Sequence, residues 1–167
     1  GYLRDEIGGV NACVTAGGAT LKGIFENDIY PGIPELLAAT AAAGCVNVMA
    51  TSKPTPFAER IAEHFGFARY FRLVSGSTLD GTRTTKSDVI RHALGTLGIA
   101  PQEAVMIGDR RYDIEGAAET GLASIAVGWG YAAPGELEAA RPDRFAPDIE
   151  TLRRLLIGQP SGAVYDS

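Results

Sequence analysis

Val105-Met106-Ile107-Gly108-Asp109-Arg110-Arg111-Tyr112-Asp113 is the stretch on which the fold turns. Its apolar start, Ala104 to Ile107, reads as a buried parallel strand. Gly108 lets the backbone turn sharply where that strand ends. Asp109 then projects from the strand's C-terminal end. Asp113 follows four positions later, on the same face once a helix begins. Two carboxylates beside a crevice at a strand's C-terminal end suit a hard divalent cation, most simply Mg2+. Asp113 equally suits an acidic first-turn position favoured by the helix dipole, so both readings stand at this point.

Outward from this strand the chain alternates. Pro31-Gly32-Ile33-Pro34 opens a helix, with Pro34 in its first turn, that runs through an Ala-rich stretch to Gly44. Residues 45–50 read as a short buried strand, and Thr51-Ser52-Lys53-Pro54 as a turn. A helix over 57–65 stops at Gly66, and a short strand-like run covers 70–74. A polar loop over 76–85 leads to an amphipathic helix over 86–97, with Val89, Ile90, Ala93, Leu94 and Leu97 inward. Beyond the central strand come a helix over 113–121, a strand over 124–127 ending at Gly128-Trp129-Gly130, and helices near 135–140 and 149–157. Such alternation predicts an α/β fold with a parallel sheet covered by helices. Residues 1–24 are Gly-rich and weakly patterned.

Composition narrows the function classes. The 167 residues make one domain with a sizeable core. The chain is 46% hydrophobic and 21% charged, with a net charge of -5, and has no basic run of the kind nucleic acid requires. No apolar stretch approaches the ~18 residues of a membrane span, and no secretory leader shows. Cys13 and Cys45 read as two buried free thiols in a reducing cytosol.

Two further polar clusters flank the paired aspartates. Thr51-Ser52-Lys53 follows the strand over 45–50, where a hydroxyl and the next helix's N–H groups can meet a phosphoryl oxygen. A plain helix N-cap fits the same residues. Lys86 opens a helix, which is electrostatically the wrong end for a cation. The position becomes reasonable if Lys86 faces an anion and a carboxylate; a solvated surface lysine is the other reading. His64 and His92 lie within helices and read as surface or structural residues. Trp129 suits either the mouth of a site or half-buried packing. Gly128-x-Gly130 is too short for a dinucleotide site.

Taken in order, hydroxyl, lysine and Gly-Asp-x-x-x-Asp resemble the haloacid dehalogenase superfamily, and most closely its phosphoglycolate phosphatase-like branch. Tyr30-Pro31-Gly32-Ile33-Pro34-Glu35-Leu36-Leu37, Ala50-Thr51-Ser52-Lys53-Pro54, Tyr70-Phe71, Gly76-Ser77 with Leu79-Asp80-Gly81-Thr82-Arg83, and Gly128-Trp129-Gly130-Tyr131 with Glu136-Leu137 are similar to that branch. The resemblance covers residues 25–156. It implies a Rossmann-like core in which Thr51 contacts the phosphoryl group with Ser52 and Lys53 beside it. The resemblance further implies that Lys86 neutralises nucleophile and phosphate, that Asp109 holds Mg2+ directly, and that Asp113 holds it directly or through water.

The departures from the family pattern matter as much. Family members begin with an apolar strand running into Asp-x-Asp-Gly-Thr, whose first Asp is the nucleophile and second the general acid. This chain has no such motif; Thr78-Leu79-Asp80-Gly81-Thr82 carries Thr where the nucleophile belongs. The resemblance therefore implies a core over 25–157 and a tail over 158–167. By the same resemblance, residues 1–24 are expected to be a remnant of the family's helical cap, and the N-terminal strand to be absent. The sheet would then lack a strand between the one ending at Thr51 and the one ending at Asp109. The implied activity is Mg2+-dependent hydrolysis of small phosphate monoesters, phosphoglycolate or a nucleoside monophosphate, through an aspartyl-phosphate in the complete enzyme. The alternative is a non-catalytic binding or interaction module on the same fold. The expected partner is a small phosphorylated metabolite in the cytoplasm, with no nucleic acid and no membrane.

Overall fold

The computed structural model describes residues 12–16, 21–22, 28–66 and 68–158. Its strands and helices in chain order are β1 (Ala12–Ala16), β2 (Leu21–Lys22), β3 (Asp28–Ile29), α1 (Ile33–Ala42), β4 (Val46–Pro54), α2 (Thr55–His64), β5 (Leu73–Ser77), α3 (Lys86–Leu97), β6 (Ala104–Gly108), α4 (Arg111–Thr120), β7 (Ala123–Val127), α5 (Glu136–Ala140), β8 (Arg144–Ala146) and α6 (Ile149–Ile157). Six strands form one sheet in the order β5-β4-β1-β6-β7-β8, and every neighbouring pair is parallel. β2 and β3 make a separate two-stranded antiparallel ladder.

Period-2 alternation builds a core on each face of the sheet. Cys13, Met49, Val105, Ile107 and Ile125 point to one side and pack with Leu36, Leu37, Leu152 and Leu156 of α1 and α6. Ala12, Val14, Val48, Ala104 and Met106 point to the other and pack with Val89, Ile90, Ala93 and Ala117 of α3 and α4. Asn47 adds a buried polar tie: its Nδ2 donates to the Leu37 carbonyl at 3.0 Å, and Thr40 Oγ1 donates to its Oδ1 at 2.8 Å. Both cysteines are buried.

Two expectations are corrected. The sheet position between β4 and β6 is filled: Ala12–Ala16 pairs with β4 from Ala12↔Val46 to Ala16↔Ala50 and with β6 from Ala12↔Ala104 to Thr15↔Ile107. An N-terminal strand is therefore present, and these five residues belong to the core sheet rather than to a cap remnant. Residues 1–11 and 159–167, and with them most of the expected tail, lie outside the described residues. The second correction concerns Thr51-Ser52-Lys53-Pro54, expected as a turn. β4 runs through them, with a register shift between Ala50 and Pro54 before Pro54 meets Ser77 of β5. An irregularity of this kind is where a ladder tolerates proline. Gly76 permits the close approach, since a Cβ there would lie 2.4 Å from the Lys53 carbonyl oxygen.

The helix over Lys86–Leu97 matches its expected span. Thr85 and Asp88 form a capping box, with Asp88 N donating to Thr85 Oγ1 at 3.1 Å, and this places Lys86 at the helix start. No helix among the described residues is long and apolar enough to cross a membrane.

Candidate active site

The C-terminal ends of β4 and β6 bring three of the predicted residues together. Lys86 Nζ lies 2.9 Å from Asp113 Oδ1, with the two side chains 10% and 4% exposed. The same ammonium donates to the Ala50 carbonyl at 3.3 Å, which anchors it to β4 where the register shift begins, one residue before Thr51. Its aliphatic stem crosses α4 at Gly116, where a Cβ would come within 2.9 Å of Lys86 Cγ. A cation at a helix N-terminus is thus compensated by a buried carboxylate from the next helix.

Asp113 fulfils the first-turn reading of its position. As the third residue of α4 it accepts from Asp109 N at 3.1 Å and Arg110 N at 3.2 Å through Oδ2. Its other oxygen faces Lys86. Gly108 makes room for it: a Cβ there would sit 2.2 Å from Asp113 Cβ. This close approach requires glycine at the strand end.

Asp109 is 2% exposed and accepts from Tyr131 N at 3.0 Å. Burial pushes its carboxyl above the ordinary carboxylate range; the Tyr131 N–H opposes the shift and the neighbouring Asp113 charge adds to it. Gly130 closes over this carboxylate so tightly that a Cβ would lie 2.2 Å from Asp109 Cβ. Among the described residues no ion-pair partner touches Asp109. A buried carboxylate in this state gains from a bound cation.

The donor set decides which cation fits. No group of three or more His, Cys, Asp and Glu side chains gathers among the described residues. Zinc, which takes three or four protein ligands, is poorly served. Mg2+ keeps several waters and is commonly held by one or two carboxylates, so Asp109 and Asp113 suffice for it.

No hydrogen bond or ion pair among the described residues joins the remaining predicted residues to Asp109 or Asp113. Thr51 is buried, and its Oγ1 accepts from Lys53 N at 3.2 Å. Ser52 is exposed and Lys53 half-buried, and neither is hydrogen-bonded or ion-paired to Lys86, Asp109 or Asp113. His64 and His92 are exposed on helix surfaces. Trp129 is half-buried and meets Tyr30 edge to face, with ring centroids 6.3 Å apart. A cavity of about 10 Å³, the room of one water, lies beneath Trp129 between α1 and α6 and is separate from the polar cluster. Sequence reasoning missed Tyr131 and Glu136, which join the loop after β7 to the loop after β6. Their signal, Gly130-Tyr131 and Glu136-Leu137, was visible only as part of a resemblance.

A sequence profile of haloacid dehalogenase-like hydrolases matches residues 8–121, from before β1 to the end of α4. The chain belongs to the haloacid dehalogenase-like hydrolases. Within that family it is 46% identical over 136 residues to a 5'-nucleotidase of Pseudomonas aeruginosa, a match covering 81% of this chain and 62% of that protein. It is 30% identical over 124 residues to the phosphoglycolate phosphatase of Escherichia coli K12, covering 74% and 49%. A crystal structure of a predicted phosphatase from Clostridium acetobutylicum superposes with a TM-score of 0.74 at 42% identity, over 76% of this chain and 59% of that one. The chain thus spans less than two thirds of the length of these curated relatives.

One departure from the family pattern has a structural counterpart. β1 ends at Thr15 and Ala16, between Ala50 of β4 and Ile107 of β6. The sequence continues Gly17-Gly18-Ala19-Thr20. None of these four residues carries a carboxylate.

Proposed function

We propose that the site holds Mg2+ and the phosphoryl group of a small phosphate monoester, and that the complete protein is a phosphatase of this family working through an aspartyl-phosphate. The observation that carries this reading is the buried Lys86–Asp113 pair beside the buried Asp109 carboxylate at the C-terminal edge of the sheet. Mg2+, when bound, supplies charge neutralisation at the phosphoryl oxygens. Asp109 is its direct ligand. Asp113 acts through water, because both its oxygens are engaged by N–H groups and Lys86. Lys86 offsets charge on the transferring group, and Thr51 donates its hydroxyl to a phosphoryl oxygen.

Between the two substrate classes, a nucleoside monophosphate is favoured over phosphoglycolate. Phe57, Tyr112 and Tyr131 are about half exposed and lie just beyond the ends of β4, β6 and β7. Arg60 lies over the Phe57 ring and Arg110 and Arg111 over Tyr112, so Tyr131 is the ring best placed to stack on a base, which glycolate lacks.

The end of β1 favours a second reading for residues 1–167 taken alone, a module that binds without turnover. A lysine and a cation stabilise charge but supply no attacking atom. One pair of assays tests both readings, with p-nitrophenyl phosphate and a nucleoside monophosphate in Mg2+. Residues 1–167 should give no significant turnover. A protein completed with an Asp-x-Asp-Gly-Thr strand and a cap should turn over, and Lys86→Ala should slow it about 10²-fold. Robust hydrolysis by residues 1–167 would overturn the binding-module reading, and turnover indifferent to Lys86→Ala would overturn its assigned role.

A further inference from the structure

We infer that Glu136 is a positioning residue for Asp109: its carboxylate clamps the loop after β7 to the loop after β6 and thereby holds the Tyr131 N–H against the Asp109 carboxylate. The inference rests on the reading of Asp109 as the cation-holding group.

Glu136 is the first residue of α5. Its Oε2 accepts from Arg110 Nε at 2.8 Å and from Arg111 N at 2.9 Å, and its Oε1 accepts from Ala133 N at 3.1 Å. Arg110 and Arg111 directly follow Asp109, and Ala133 lies two residues after Tyr131. One carboxylate therefore ties together the two segments whose other junction is the Tyr131–Asp109 hydrogen bond.

This is more than a surface ion pair, whose worth is ordinarily small. The Glu136 side chain is only 10% exposed. Two of its three bonds come from backbone N–H groups, so they fix the path of the chain rather than the end of a flexible side chain. One of those N–H groups belongs to the first residue of α4, where a carboxylate also complements the helix dipole. The Arg110 hydrogen bond, then the N–H groups of Arg111 and Ala133, hold the Glu136 carboxyl down to about 2, so it is ionised throughout the neutral range. Gly130 leaves Asp109 no slack against the loop after β7, so a displacement of that loop is transmitted to the carboxylate.

Amide hydrogen exchange by NMR and calorimetric titration with Mg2+ on residues 1–167 test this. In Glu136→Ala the Tyr131 amide should exchange about tenfold faster while the Ile125 amide in β7 is unchanged. The Mg2+ dissociation constant should rise about tenfold in parallel. Glu136→Gln, which keeps acceptors for the N–H groups but loses the charge facing Arg110, should fall between wild type and Glu136→Ala, and it serves alone if the alanine variant fails to fold. Unchanged Tyr131 exchange would overturn the inference, and so would equal acceleration at Ile125, which marks general loosening. If the wild-type chain takes up no Mg2+, the cation reading of Asp109 fails, while Tyr131 exchange still decides the role of Glu136.

Discussion

At Asp113 two carboxylate oxygens face two tasks. Oδ2 closes the turn after β6 by accepting two N–H groups, and Oδ1 faces Lys86. The four-residue spacing from Asp109 pointed to Asp113, and the oddity of a lysine opening a helix pointed to its partner. Nothing local pointed to the glycines that set the distances. Gly130 is a residue-scale case, because its missing Cβ is what lets the Tyr131 N–H reach Asp109. Gly130→Ala should cost about 1–3 kcal/mol by overpacking and weaken Mg2+ binding. Gly95→Ala is the control: it lies in α3 with nothing within 4 Å of its added Cβ, and it should stabilise the chain by about 0.5–1 kcal/mol without touching Mg2+ affinity. Thermal unfolding and calorimetry on both variants check this, and equal Mg2+ affinity in the two would contradict the role given to Gly130.

Elements with strong patterns were legible and those built from close contacts were not. The helix over 86–97 shows its apolar stripe in sequence, and it folds over that span between a Thr85 N-cap and a Gly98 C-cap. β1 has only five residues, begins and ends in alanine and lies between Gly pairs, so its apolar signal is weak although all five residues are buried. β4 outruns its expected end because an irregular ladder accommodates Pro54. The junction of the loops after β6 and β7 was illegible because Glu136 and Arg110 are 26 positions apart. That junction carries a pH signature. Glu136 is lowered from 4.5 to about 2, so its contribution to stability is fully present above the unfolded value and fades as pH falls from about 4.5 towards 2. In urea denaturation, wild type should exceed Glu136→Gln near neutral pH, and the gap should close across that window. A gap independent of pH would show that the Glu136 charge does not stabilise the fold.

In the whole molecule the sheet is continuous, with β1 bonded on both sides at its centre. The expected consequence of a missing strand, unpaired backbone groups inviting another chain, therefore does not arise at this position. A supplied Asp-x-Asp-Gly-Thr strand would have to displace Ala12–Ala16 to reach the same place. The proposed cation and phosphoryl site at the C-terminal edge of this sheet is organised by Asp109, Asp113 and Lys86. Calorimetric titration of Mg2+ into wild type, Asp109→Asn and Glu115→Gln tests it most directly. Asp109 is buried at the end of β6, whereas Glu115 is exposed on α4. The account predicts that Asp109→Asn loses Mg2+ binding at least about tenfold relative to wild type while Glu115→Gln leaves it unchanged; equal affinity in the two variants would contradict it.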